Sequence, residues 1–394
     1  MKLLTGTVMN YEWGSRSALP ALLGVPEDGK PQAEYWLGAH PAGPALIDGH
    51  ALDAWLVRHP EAVQGTAAER FGERFPFLMK YLAADRPLSL QAHPNAAEAR
   101  AGYQAEQEAG VPLDAPERGF KDPHPKPEML VATTDFEALA GFRDPAQTLE
   151  LFDALDVSES LEPIIGPLRH RNGEAALAEV FLDCLTADGT RRHNLEEVVA
   201  ACVRHVDDDG ELGRFARAAV RLDEFFPGDT SLLGALLLNC IHLEPGQGLR
   251  VDTGVLHAYL RGEGIEILAS SDNVLRGGLT NKHVDVSALI SVVDFTPLPP
   301  PLVEPAQQDE GLFCYPSTAE EFALWRAELT PGRQVAVPAS DSPRIMLVTA
   351  GSVDVHEGNG ITTLRQGQAA FLASGEHAGL TGEGMVFIGA PGLG

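Results

Sequence analysis

The alternation of apolar and polar positions changes character along the chain. Residues 1–145 read as short strands and turns punctuated by Gly and Pro, with local helices predicted at about 51–58 and 60–72. Apolar residues then return at helical spacing near 147–154, 173–186, 194–207, 211–225 and 230–240. The breakers Asn172-Gly173, Asp188-Gly189, Asp207-Asp208-Asp209-Gly210 and Pro227-Gly228 separate these segments. Strand character resumes at Leu243, and a proline-rich stretch near 296–310 reads as a linker.

A faint internal repeat sharpens this picture. Leu243 is followed by Gly246-Gln247, a short apolar run, Gly254 and His257-Ala258, and Leu364 by Gly367-Gln368, a short apolar run, Gly375 and His377-Ala378. That pattern suits two related antiparallel barrels of the jelly-roll type. The expected fold is therefore mainly β with a helical insertion: a first barrel built from 1–145 and 241–300, a helical domain over 146–240, and a second jelly roll over 301–394.

The stretch Pro87-Leu88-Ser89-Leu90-Gln91-Ala92-His93-Pro94 alternates most clearly, and its polar set carries chemistry. Successive side chains of a strand point to opposite faces, so Ser89, Gln91 and His93 share one face. Gln91 offers a carbonyl oxygen and His93 a ring nitrogen, both able to ligate a borderline metal. Asn95 follows as the expected N-cap of a helix reaching Gly110. In His124-Pro125-Lys126-Pro127-Glu128 the prolines predict an extended segment at a sheet edge, with His124, Lys126 and Glu128 on one side, so that Lys126 and Glu128 face the same space. With His257, four candidates assemble: Gln91, His93, Glu128 and His257, either a metal set with an open position or four polar groups satisfied by hydrogen bonds. His40 and His377 read as structural. Glu266 lies between Ile265 and Ile267, so a strand there buries the isoleucines and turns the carboxylate to the other face. Arg276 precedes Gly277-Gly278, which lets backbone approach a ligand while the guanidinium offers a fork for oxyanions.

Composition narrows the partners. A formal charge of −27 argues against nucleic acid and anionic membrane. No 18-residue apolar run or signal-peptide core is present, so the expectation is a cytoplasmic protein. The cysteines Cys184, Cys202, Cys240 and Cys314 are scattered without paired spacing, as expected of buried apolar residues. Lysine is rare, and Lys80, Lys126 and Lys282 fall inside the polar motifs, where a compact cation has a use.

Glu34-Tyr35-Trp36-Leu37-Gly38-Ala39-His40-Pro41, Leu90-Gln91-Ala92-His93-Pro94, Lys126-Pro127-Glu128-Met129, His257-Ala258-Tyr259-Leu260 and Ser271-Asp272-Asn273-Val274-Leu275-Arg276-Gly277-Gly278-Leu279-Thr280 resemble, in this order, type I mannose-6-phosphate isomerase. The resemblance implies cupin-type barrels, one zinc ion, and interconversion of mannose 6-phosphate and fructose 6-phosphate by a monomer acting on a small sugar phosphate. It assigns zinc to Gln91, His93, Glu128 and His257, gives Arg276 the catalytic position, and lines the substrate pocket with Lys80, Ser89, Lys126, Tyr259, Glu266 and Lys282. The chain departs from the family pattern at His124-Pro125, where Asn-His is common, at Leu256 and at Asn281.

Moving a proton between C1 and C2 through an enediol needs a base and a stabiliser of the developing oxyanion. Glu266 or a group near Lys126 is expected to handle the proton, Arg276 to steady the enediolate, and the lysines with Ser89 to hold the phosphate. The competing readings are a non-catalytic sugar-phosphate-binding cupin and a metal cupin of other chemistry, such as an iron oxygenase.

Overall fold

The computed structural model describes residues 1–171, 173–186 and 191–393, so the predicted breakers Asn172, Asp188 and Gly189 lie outside the described residues. Two antiparallel sheets of eleven strands each carry the architecture, as two cupin-type jelly rolls, with helices gathered mainly between Pro145 and Ala235. The 13-residue strand His257–Ala269 organises the first sheet. Its later residues lie between Phe77–Ala84 and Glu128–Ala132, whereas its first residues pair with Gln91–Ala92 and Phe136–Phe142. The register shifts between Tyr259 and Arg261, where the strand passes from one set of neighbours to the other.

Alternation along this strand decides what faces what. Ile265 and Ile267 join Met79 and Tyr81 in a core shared with Ile345, Leu347, Phe371 and Phe387 of the C-terminal barrel, which cements the two sheets together. Glu266 therefore points the other way, into the first barrel, as its isoleucine neighbours predict. The internal repeat is also real. Gly246 (φ 94°) and Gly367 (φ 80°) both occupy left-handed turns that favour glycine. Each turn leads into a short strand, Gly248–Val251 or Ala369–Leu372, followed by a long one, His257–Ala269 or Gly379–Ala390.

Sheet pairing cuts across the segments drawn from sequence. Lys2–Thr5 pairs with Ala369–Leu372, so the first strand belongs to the C-terminal sheet. The helix expected over 230–240 stops at Ala235, and Leu238–Leu243 is a strand on Phe136–Phe142. A short leucine run carries no periodicity to separate the two states, and the open ladder on Phe136–Phe142 decides. The helix Ser158–His170 falls outside the predicted helical segments and carries Pro163 and Pro167 in its interior, residues that disfavour a helix. It forms because Leu161, Ile164, Ile165 and Leu168 are buried on one face, which outweighs the missing donors. The approach to Glu128 differs from expectation too. Glu128–Ala132 lies inside the sheet, between Gly248–Val251 and His257–Ala269, and the prolines stay in the preceding loop where the ladder needs no donors. Asn95 caps Ala96–Glu108 as expected, its Oδ1 accepting from the Ala97 and Glu98 amides while Glu98 accepts from the Asn95 amide. The four cysteines are free. Among the described residues no helix is long and apolar enough to cross a membrane.

Arg143 fastens the helical layer to the barrel. Its fully buried guanidinium donates to the Leu236 carbonyl (3.0 Å) and the Leu238 carbonyl (2.5 Å), pairs with Glu211 (3.0 Å) and lies over the Phe215 ring. Truncation strands those buried acceptors. Arg143→Ala is expected to lower unfolding free energy by about 3 kcal/mol, measured by urea denaturation, because removing one partner leaves the others uncompensated. A loss below about 1 kcal/mol would show the contact to be dispensable.

Candidate metal centre and substrate pocket

Three elements deliver three buried side chains to one point inside the first barrel. His93 follows the strand Gln91–Ala92, Glu128 opens the strand Glu128–Ala132, and His257 opens the long strand. Ligand atoms of these three residues lie within 4.8 Å of one another. The His93 Nδ1–H donates to the Asn273 carbonyl (2.7 Å), and the His257 Nδ1–H to the Val255 carbonyl (3.0 Å). A carbonyl only accepts, so each ring is fixed with its Nε2 lone pair free and aimed at Glu128. His93 Nε2 lies 3.2 Å from one Glu128 oxygen and His257 Nε2 3.5 Å from the other. Yet His93 Nε2, His257 Nε2 and Glu128 Oε2 have no hydrogen-bond partner. Two neutral imidazoles and a carboxylate, buried with unused lone pairs, fit a borderline divalent cation such as zinc.

Electrostatics keep these groups in ligand form. Burial, reinforced by the Lys126 ammonium, pushes the His93 imidazole down to about 4, so it is neutral at pH 7. Burial alone would raise Glu128, but Lys126, 3.0 Å away, holds the carboxyl well below the ordinary range. Gln91 stands opposite both His257 and Arg276 in the ladder, which puts all four predicted ligand positions at the same end of the barrel.

Beside this group a row of charges crosses three adjacent strands, Trp36 opposite Lys80 and Lys80 opposite Glu266. The Lys80 ammonium pairs with Glu34 (3.2 Å) and Glu266 (3.0 Å) and lies over the Trp36 ring, while Trp36 Nε1 donates to the second Glu34 oxygen (2.7 Å). Burial opposes the charge on Lys80, but Glu266 and Glu34 outweigh it and raise the lysine above its ordinary value. Glu266 is shifted upward by burial, against the pull of Lys80 and with the push of Glu128 and Glu34. Burial together with Glu266 and Glu128 raises the Tyr259 phenol well above its ordinary value; its hydroxyl is protonated and has no partner.

The remaining predicted residues lie nearer solvent. Ser89 is half-buried in the extended segment before Gln91, Arg276 is half-buried on its own short strand, and Lys282 is exposed beyond it. His40, expected to be structural, is buried against Trp36 and pairs with Asp272 (3.3 Å). The backbone of His124 is held in the loop network, its amide donating to Asp122 (3.0 Å) and its carbonyl accepting from Asn273 (2.9 Å).

Glu34 and Asn273 were missed in the sequence. The signal for Glu34 was available: Tyr35 and Leu37 enter the shared core, so Glu34 and Trp36 must face the pocket, the same logic that exposed Glu266. Asn273 gave no comparable signal, because its role is set by backbone far away in sequence. Its carbonyl orients His93 while its side chain grips the loop at Lys121–His124.

Comparison with known proteins agrees with this geometry. Residues 1–145 match the family model for the catalytic domain of type I phosphomannose isomerase. The chain is 33% identical to mannose-6-phosphate isomerase of Escherichia coli strain K12, with 95% of each chain covered. It is 30% identical to the Rattus norvegicus enzyme over 95% of this chain and 93% of that one. A crystal structure of mannose 6-phosphate isomerase bound with zinc and yttrium superimposes with a TM-score of 0.90 at 31% identity, covering 99% of both chains. A phosphomannose isomerase from Salmonella typhimurium, a single-residue mutant, gives the same TM-score at 30% identity and the same coverage. Likeness of this extent, spanning the helical layer and both barrels, shows that the chain belongs to the type I mannose-6-phosphate isomerase family.

Proposed function

We propose that the pocket around His93, Glu128 and His257 interconverts mannose 6-phosphate and fructose 6-phosphate, with one zinc ion held by those three side chains and Gln91. The observation that carries this reading is the set of three orphaned, converging lone pairs in a buried interior, beside a charged row fit for proton transfer. An unpaired buried polar atom costs about 1–3 kcal/mol, which a bound cation would remove. Bound there, zinc supplies a Lewis acid that eases build-up of negative charge on a sugar oxygen.

The chain's own residues divide the remaining work. Glu266 is the proton carrier of this reading: a carboxyl raised toward neutrality by burial and by Glu128 and Glu34 holds a proton better than an exposed one, yet Lys80 keeps its anion attainable. Lys126 is bound to Glu128 and keeps that carboxylate anionic, which supports a role in maintaining the ligand set more than one in direct proton transfer. Arg276 brings a half-buried guanidinium next to Gln91, suited to an enediolate oxygen. Tyr259 donates a spare hydroxyl hydrogen to a sugar oxygen, and Ser89 and Lys282 flank the entrance. This reading keeps the division drawn from sequence, a barrel from 1–145 and 241–300, an insertion over 146–240 and a second jelly roll over 301–394, except that Lys2–Thr5 goes with the second jelly roll and Leu238–Leu243 starts the return to the first barrel. It places a monomer in the cytoplasm, supported by acidic charge and free cysteines.

Purified protein is expected to convert mannose 6-phosphate to fructose 6-phosphate, to lose that activity on chelation and to regain it with zinc. Absence of turnover from fully metallated protein overturns the reading and leaves a binding protein or a cupin of other chemistry. Glu266→Gln is expected to lower kcat by about 10²-fold or more with zinc content unchanged, the scale of a lost general base. Full turnover in that variant would take the proton role away from this carboxylate.

A further inference from the structure

Lys121 was part of no predicted site, yet the structure sets it beside one. Of the chain's six lysines, Lys80 and Lys126 lie in the pocket, and Lys121 and Arg276 are close enough to Lys282 for their charges to be felt there, in a chain that otherwise relies on arginine. These cations fall into two kinds. Lys80 and Lys126 are buried and already neutralised, the first by Glu34 and Glu266, the second by Glu128. Arg276 is lowered by burial with no carboxylate offsetting it. Lys282, though exposed, is lowered by partial desolvation and then by the positive charges of Arg276 and Lys121. Among the described residues none of Lys121, Arg276 and Lys282 forms an ion pair with a carboxylate. In a chain with 56 acidic against 29 basic residues, neighbouring cations left without partners are unusual, and an anion bound among them would relieve their repulsion.

The loop under Lys121 is built to hold it there. Asn273 Oδ1 accepts from the Lys121 amide (2.7 Å) and the Asp122 amide (3.2 Å), while its Nδ2 donates to the Asp122 carbonyl (2.7 Å) and the His124 carbonyl (2.9 Å). The neighbouring acid is turned inward: the Asp122 carboxylate accepts from the Ser271 hydroxyl (2.9 Å), the Asp272 amide (2.8 Å) and the His124 amide (3.0 Å). Asp272, the nearest acid on the other side, is paired with His40. The backbone at Lys121 is thereby fixed to the segment that carries Arg276, three residues beyond Asn273, with its ammonium free and exposed.

We propose that Lys121 joins Lys282 in a two-cation clamp that grips the phosphate of the substrate at the pocket mouth, next to the Arg276 that faces the enediolate, while Lys80 and Lys126 serve the reacting end. The inference rests on the isomerase reading and specifies which lysines meet the dianion. A flexible, strongly hydrated ammonium at a rigid anchor suits an entrance that must capture and release phosphate.

Steady-state kinetics of Lys121→Ala, Lys121→Arg and a surface control, Lys30→Ala, test it, with inorganic phosphate as competitive inhibitor and zinc content measured throughout. Lys121→Ala is expected to raise both KM for mannose 6-phosphate and the phosphate inhibition constant about tenfold, with kcat within about twofold, as loss of one charge-assisted contact predicts. Lys121→Arg restores most of the loss, and Lys30→Ala changes neither constant. Unchanged KM and inhibition constant in Lys121→Ala, or a loss confined to kcat, overturns the clamp. If the wild-type protein turns over no mannose 6-phosphate, the isomerase reading falls separately; calorimetry of inorganic phosphate binding to the metallated proteins then decides, equal affinity in wild type and Lys121→Ala overturning the clamp.

Discussion

The centre of the first barrel depends on two hydrogen bonds to backbone carbonyls. By binding Nδ1–H of His93 and His257, the Asn273 and Val255 carbonyls fix two buried rings so that both Nε2 lone pairs face Glu128. A rotating imidazole would find partners elsewhere and lose its aim. The strands Glu128–Ala132 and His257–Ala269 supply the rigidity, because both are buried in the sheet interior. Their stiffness comes in turn from the apolar interface with the C-terminal barrel, where Ile265 and Ile267 meet Phe371 and Phe387. The second jelly roll thus supports the site by packing, without lending it a ligand-bearing side chain.

Charge is organised on the same economy of neighbours. A buried ammonium is tolerated only when paired, and the Lys80 row meets that condition with two carboxylates and an aromatic face. Glu34 belongs to this arrangement although it is remote from the ligand set: without it, Lys80 would bind Glu266 alone and draw its pKa down. The arrangement separates a compensated interior, where proton affinities are tuned, from an uncompensated rim of Arg276 and Lys282, where the cations remain available to an anion. A protein of net charge −27 can then take an anionic substrate without a basic surface.

How much of this was legible in the sequence follows from the range of each interaction. Alternation exposed Glu266 and could have exposed Glu34, because a strand's two faces are written in adjacent residues. The N-cap at Asn95 is local and was read at once, while the structure adds Glu98 as its reciprocal partner. Long-range decisions were hidden. The segment that begins at Leu238 becomes a strand only because Phe136–Phe142 presents an open ladder, and Pro163 and Pro167 sit inside a helix only because its apolar face is buried. Lys126 and Glu128 were placed facing the same space, but the edge position inferred from the prolines was wrong, since those residues confine themselves to the approach loop. That the family motifs also marked His93, Glu128 and His257 reflects resemblance, whereas their convergence is a property of three strands that only the folded chain brings together.

Asn273 shows why the loop and the ligands cannot be considered apart. Its carbonyl sets the tautomer of His93, and its amide grips the segment that runs through His124 to Lys126 and Glu128. A displacement of that loop would be felt at His93 through the same residue, so the position of the ammonium that keeps Glu128 anionic and the aim of the imidazole that faces it are mechanically linked. Polar networks of this kind tolerate little partial loss, since each buried group stranded by a break bears its full desolvation cost. The pocket holds its shape because one buried asparagine spends its side-chain hydrogen-bonding capacity on the loop and its carbonyl on the metal-facing histidine.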